Sequence, residues 1–167
     1  MPPDDISAIK TRLSTERDKL LASLSNIPPA TALRSFQGGW SIKDVLAHVA
    51  VAESVNVRFA RMMIAKDSPV QVVEFALEYP DFPPPFELDR FNAWMTERWR
   101  ETSFDQVLDT LRAERTQTLA WLDTLAPEQL DRSGEHAVWG TQTVRGMLRL
   151  LSIHDRFHRA DVEKRKG

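Results

Sequence analysis

Proline interrupts helix interiors, and the ten prolines of this 167-residue chain are clustered: Pro2 and Pro3, Pro28 and Pro29, Pro69, Pro80 with Pro83, Pro84 and Pro85, and Pro127. Four stretches free of proline remain, 4–27, 30–68, 86–126 and 128–167, each long enough for a helix of about 20 residues. Apolar residues recur in them at helical spacing, and little elsewhere alternates as a strand would. The run Val70–Leu77 is ambiguous and reads equally as a short helix or an irregular loop. The length suits one domain, taken as 1–167.

Capping chemistry sets the expected boundaries. The first helix covers Asp4 or Asp5 to about Ser25, with Ile6, Ile9, Leu13, Leu20, Leu21 and Leu24 on its apolar face. The second starts after Trp40, where Ser41-Ile-Lys-Asp44 is a capping box with Asp in place of Glu, and runs to about Lys66. The third begins near Pro85, pauses at the capping box Ser103-Phe-Asp-Gln106, and reaches Thr124 or Leu125. The fourth has Thr143 as N-cap and ends near Lys164. Ser41–Leu46 and Thr143–Leu148 echo one another, which convergent helix-start chemistry explains better than a repeat. Four amphipathic helices without a sheet predict an all-α four-helix bundle with a long 67–85 connection between the second and third helices.

Composition removes several function classes. With no cysteine, disulfides, thiolate metal sites and thiol nucleophiles are excluded, and a reducing, cytoplasmic setting fits. A formal charge of -2 lacks the footprint of a nucleic-acid binder, so no nucleic acid is expected as partner. Apolar runs are too short for a membrane span. Met1-Pro-Pro-Asp-Asp5 lacks a basic segment followed by an apolar one, so no secretory leader is expected. No phosphate loop or G-x-S-x-G elbow occurs.

Three of the four histidines fall on two inner faces. At 100° per residue, Ser41, Val45, His48, Ala52, Val55 and Phe59 share a stripe, in which His48 is the odd polar member beside the small Ala52. In the fourth helix Met147, Leu150, Leu151, His154, His158 and Asp161 share another. His154 and His158, one turn apart, can reach a single point, and a third imidazole would complete a facial set. Imidazole suits Zn, Ni, Cu and Fe alike. A hydrogen-bonded core histidine and a surface pair are the competing explanations.

The stretch Gly38-Gly-Trp-Ser-Ile-Lys-Asp-Val-Leu-Ala-His48-Val, followed by Glu53, resembles the first motif of the DinB/YfiT-like superfamily of metal-binding four-helix bundles. Gly140-Thr-Gln-Thr143-Val-Arg-Gly-Met-Leu148, then His154-Asp-Arg-Phe-His158-Arg-Ala-Asp161, resembles its closing motif. The resemblance spans nearly the whole chain in order and spacing. It implies that His48, His154 and His158 bind one divalent ion, zinc or nickel, with water completing the shell. The family often has Gln where this chain has Asp161. It includes thiol-dependent transferases and isomerases and proteins regarded as hydrolases, and many of its members dimerise.

Asp161 can orient a ligand imidazole, accept a proton, ligate directly, or simply pair with Lys164 or Arg165. Glu53 points off the His48 stripe and is not a ligand; Asp44 is a cap. Trp40 is placed to pack at the helix start, Trp94, Trp99 and Trp121 to be core or half-buried, and Trp139 to line a pocket mouth. His136 reads as a solvated loop residue. Specificity is expected from Val70–Phe86 and Asp131–Gln142. The expected function is that of a metal-dependent enzyme acting on a small molecule, as a hydrolase or a thiol-dependent S-transferase or isomerase, with a low-molecular-weight thiol as a possible partner. The alternatives are a non-catalytic metal- or small-molecule-binding stress-response bundle, and a structural bundle whose histidines bind nothing. An aromatic-rich 86–121 region offers an apolar face for a homodimer.

Overall fold

The structure, a computed structural model, describes residues 5–37, 39–66 and 68–166. Asp4 as a helix start, Gly38 of the first motif and Asp67 at the head of the long connection lie outside them. The helices are α1 (Ile6–Ala22), α2 (Pro29–Leu33), α3 (Ile42–Ala65), α4 (Val72–Ala76), α5 (Leu88–Glu97), α6 (Phe104–Leu122) and α7 (Val144–Lys166). A 3-10 turn, Pro127–Asp131, precedes an antiparallel hairpin of β1 (Ser133–His136) and β2 (Gly140–Thr143).

The caps form as their chemistry requires. The Asp44 carboxylate accepts from Ser41 N–H at 2.9 Å while Ser41 Oγ accepts from Asp44 N–H at 3.2 Å. Ser103 and Gln106 make the same reciprocal pair at the start of α6, at 3.2 and 3.0 Å. Thr143 Oγ1 accepts from Gly146 N–H at 3.0 Å. The pause expected at Ser103 is a full break, which leaves two helices, α5 and α6, and the first of them starts at Leu88 rather than near Pro85. The first helix stops at Ala22, short of Ser25.

The bundle consists of α1, α3, α6 and α7. Both α1 and α3 pack against α6 and α7, so α1 faces α3 across the bundle and α6 faces α7. Two apolar clusters fix the directions. One joins Ile9 and Leu13, early in α1, to Met147 and Leu151, early in α7, and to Phe59, Met63 and Leu122, late in α3 and α6. The other joins Leu20 and Val162, late in α1 and α7, to Val45, Leu46, Val107 and Leu111, early in α3 and α6. Thus α1 and α7 run parallel, and α3 and α6 run parallel in the opposite sense. The link from α3 to α6 must therefore return along the bundle, about 36 Å for the 24 residues of α3. It carries α4 and α5, and Val70–Leu77 resolves into the short α4.

The hairpin corrects the expectation of a chain without a sheet. Its two strands are only four residues each, below the length at which alternation can be read. Gly134 lets it lie against α3: a Cβ there would come within 2.9 Å of the Phe59 ring. Val70 pairs with the other edge of β1, and Glu135 N–H donates to its carbonyl at 2.6 Å.

Candidate metal centre

The capping box that starts α3 places His48 two turns in, on the face opposed to α7. His154 and His158 lie one turn apart on α7 and meet it. The Nε2 atoms of His48 and His154 are 3.1 Å apart, as are those of His154 and His158, and the ligand atoms of all three lie within 4.8 Å of one another. Asp161 Oδ2 is 3.0 Å from His158 Nδ1, so that nitrogen carries the proton and His158 Nε2 is a bare lone pair. Trp40 packs its ring 5.1 Å from that of His48.

This donor set fits a cation. Without one, His154 Nε2 faces two nitrogens at 3.1 Å, and a proton there can serve only one of the two contacts, since His158 Nε2 has none to give. An ion accepts all three lone pairs. The 3.1 Å edges lie between the ~3.3 Å expected for tetrahedral zinc and the ~3.0 Å of an octahedral ion, so the spacing does not choose a metal. The imidazoles are in the ligating, neutral form. Burial, reinforced by the charge of His158, pushes His48 down to about 4. His154 lies well below its ordinary value, through burial first and then its two histidine neighbours. Burial also lowers His158, with Asp161 opposing.

The three histidines form one end of a cavity of about 280 Å³. Ala52, Val55 and Phe59, the members of the His48 stripe that follow it, continue its wall. Both expected specificity segments contribute, Val72, Phe75 and Phe86 from the first and Glu135, His136, Ala137 and Trp139 from the second. Trp139 stands there, 39% exposed, as expected for a pocket mouth. His136 does not behave as a solvated loop residue. It is half-buried on β1 and stacks on Trp139 with ring centroids 4.3 Å apart, and burial pushes its pKa down to about 4. Phe91 and Trp121 are buried, Trp94 and Trp99 half-buried.

A second polar constellation was not read from sequence. Arg17 of α1, Glu53 of α3, Arg115 of α6 and Asp155 of α7 meet inside the bundle, none more than 4% exposed. Arg17 grips Asp155 with two bonds of 3.1 and 3.0 Å and reaches Glu53 at 2.6 Å. Arg115 grips Glu53 at 2.8 and 3.2 Å and Asp155 at 3.0 Å, and also donates to the Leu13 carbonyl. Burial opposes the charge of Glu53, yet Arg115 and Arg17 outweigh it and its pKa falls. Burial likewise works against Arg17, and Asp155 and Glu53 outweigh it to raise its pKa. Glu53 is thus no metal ligand, as expected, but part of a closed, charge-neutral knot of all four bundle helices.

A four-helix bundle with parallel outer pairs and a histidine triad able to hold a metal ion defines the class. The chain belongs to the DinB superfamily, whose family model matches residues 12–162. Among solved structures, YfiT from Bacillus subtilis, described as a probable metal-dependent hydrolase with an unusual four-helix bundle topology, superposes with a TM-score of 0.71 at 17% identity, over 99% of this chain and 87% of that one. A Streptococcus pneumoniae protein gives 0.74 at 14% identity, over 96% and 90%. The colibactin self-resistance protein ClbS, crystallised with a dsDNA, gives 0.74 at 12% identity, over 98% and 96%. At these identities the likeness concerns the fold. No curated protein matches the sequence. No helix among the described residues is long and apolar enough to cross a membrane.

Proposed function

We propose that this protein is a metal-dependent enzyme acting on a small molecule, with one zinc or nickel ion on His48, His154 and His158. The convergence of three neutral Nε2 donors at the end of an apolar cavity carries the reading. A divalent ion there supplies Lewis acidity, which lowers the pKa of a water or thiol and polarises a carbonyl. The chain's own residues do the rest. Asp161 holds the His158 ring and its tautomer through Nδ1. The aromatic and aliphatic walls exclude water and orient the ligand's body. Hydrolysis and thiol transfer are the two reaction types the site suits, and a low-molecular-weight thiol is one candidate co-substrate. YfiT's description supports the first. We place the protein in the cytoplasm, as one 1–167 domain, and as a homodimer, which sedimentation tests.

Metal content of untagged protein, followed by calorimetric titration of metal-free protein and of the three single His→Ala variants, tests the assignment. Each variant should lose zinc affinity sharply. Equal affinity across all four proteins overturns it. Turnover of ester or thiol substrates then separates an enzyme from a non-catalytic binding bundle, the reading favoured if ligand binds the cavity without reaction. Because ClbS was crystallised with DNA, a duplex is included in the binding assays; with a charge of -2 this chain should show no salt-dependent affinity for it.

A further inference from the structure

His136 is the one histidine the metal site does not use. It stands in the same cavity, on the hairpin. Its Nδ1 accepts the backbone N–H groups of Val138 and Trp139 at 3.1 and 3.3 Å. Two donors on Nδ1 require a lone pair there, so the neutral ring carries its proton on Nε2. That N–H has no polar partner among the described residues. The ring stacks on Trp139 and lies 6.0 Å from the Phe59 ring, at a steep angle to it. The turn therefore presents a fixed donor that cannot swap to an acceptor without losing both backbone bonds.

The rest of the cavity limits what that donor can meet. Among the described residues no lysine or arginine lines it, and its one acidic lining residue is Glu135. A ligand anion away from the metal end would be desolvated with no counter-charge. Phe59, Phe75, Phe86 and Phe91 put rings in walls that are otherwise aliphatic, and Asn56 and Asn92 add two neutral amides. At about 280 Å³ the space is nearly twice the ~150 Å³ that takes a benzene, enough for one substituted ring.

We infer that His136 is a specificity-determining residue, and that the ligand is an uncharged, ring-bearing molecule whose carbonyl or similar acceptor oxygen takes the His136 Nε2–H. The inference deepens the functional reading above and rests on it for the metal end of the cavity. His136 acts as donor and not as base, because its free lone pair faces the backbone.

Three isosteric probes test this by NMR titration of zinc-loaded and chelator-treated protein: acetophenone, α-methylstyrene, which replaces the ketone oxygen with a methylene, and benzoate. Acetophenone should bind about five- to tenfold more tightly than α-methylstyrene. His136→Phe should bring that ratio to about one while leaving the alkene's affinity within about twofold, and His136→Gln, which keeps a donor, should restore part of it. In wild-type protein the His136 Nε2–H resonance should move on adding the ketone and stay with the alkene, a readout that stands even if His136→Phe fails to fold. Equal affinities in wild type, a ketone preference that survives His136→Phe, or benzoate outcompeting the ketone in chelator-treated protein overturns the inference. Failure of zinc to bind overturns the metal reading instead, and the ketone–alkene comparison in metal-free protein still decides this one.

Discussion

Replacing Glu53 by Gln removes one charge from the knot at the centre of the bundle and almost no volume. Two guanidiniums then face one carboxylate, and the excess positive charge is nearly inaccessible to water, Glu53 being 1% exposed and Arg17 2%. One glutamine oxygen cannot replace two carboxylate oxygens that accept at 2.6, 2.8 and 3.2 Å, and its amide nitrogen must point at a donor. Breaking a buried pair on one side costs about 3–5 kcal/mol, against the ~5–15 kcal/mol that holds a typical domain. With a urea dependence of roughly 2 kcal/mol/M, the unfolding midpoint should drop by about 1.5–2.5 M. Glu53→Met combined with Arg115→Met removes one charge of each sign, leaves the Arg17–Asp155 pair intact, and should recover most of the loss. Urea unfolding followed by far-UV circular dichroism reads all three proteins. A Glu53→Gln cost below about 1 kcal/mol, or a double variant less stable than the single one, would refute the claim that the knot matters by its balance of charge.

Other outcomes follow from the same contacts. Asp161→Asn should weaken zinc binding about 10- to 100-fold by competitive titration, because His158 loses the carboxylate that fixes its tautomer at 3.0 Å; unchanged affinity would make Asp161 a mere partner of Arg165. Ser41→Ala should cost about 1 kcal/mol in urea unfolding through the lost cap of α3. Metal-free protein should lose stability as the pH falls. His48 and His136 sit at about 4 when folded and near 6.5 when unfolded, so between those values the unfolded chain binds protons the folded one refuses. Their contribution is complete above about 6.5 and declines as the pH drops through about 4; a midpoint flat from pH 7 to 4.5 would contradict the buried, neutral histidines.

The long helices and the histidine triad were legible because their signals are local and periodic. Proline spacing and Ser-x-x-Asp or Ser-x-x-Gln boxes act within one turn, and the His48 and His154/His158 stripes follow from 100° per residue. The charged knot left a trace of the same kind. Glu53 sits three or four residues from Val49, Ala50 and Val57, and Arg17 from Leu13, Leu20 and Leu21, so each is a charge within an apolar stripe. Nothing in either segment names the partner, since Arg17 and Asp155 are 138 positions apart. The hairpin was hidden for another reason. Its four-residue strands carry no apolar alternation, and what seats them is Gly134 against Phe59, a contact between separate elements. His136 was misread along with the hairpin that buries it.

The direction of the helices explains why the cavity exists at all. Had α6 run antiparallel to its neighbour α3, a short turn could have joined them. Because the two are parallel, the chain must travel back along the bundle, and it does so as a segment dense in rings. Phe75, Tyr79, Phe82, Phe86, Phe91 and Trp94 pack mostly edge to face, with centroids 4.8 Å apart for Tyr79 and Phe91 and 5.3 Å for Phe82 and Phe91, while Phe91 meets Phe86 and Trp94 at a tilt. Phe75 sets its edge on Phe59 of α3 at 5.2 Å, which anchors the segment beside the His48 stripe. The hairpin closes the other side through Gly134 and Val70. The histidine triad is therefore built by the bundle, and much of the cavity wall beside it is built by the two connections. Substitutions at Phe75, Phe86 or His136 should change what binds without displacing His48, His154 or His158. Zinc affinity and ligand preference measured on the same variants would show whether the two are as separable as this division requires: a Phe86→Ala protein that loses zinc binding about as much as His158→Ala does would show that they are not.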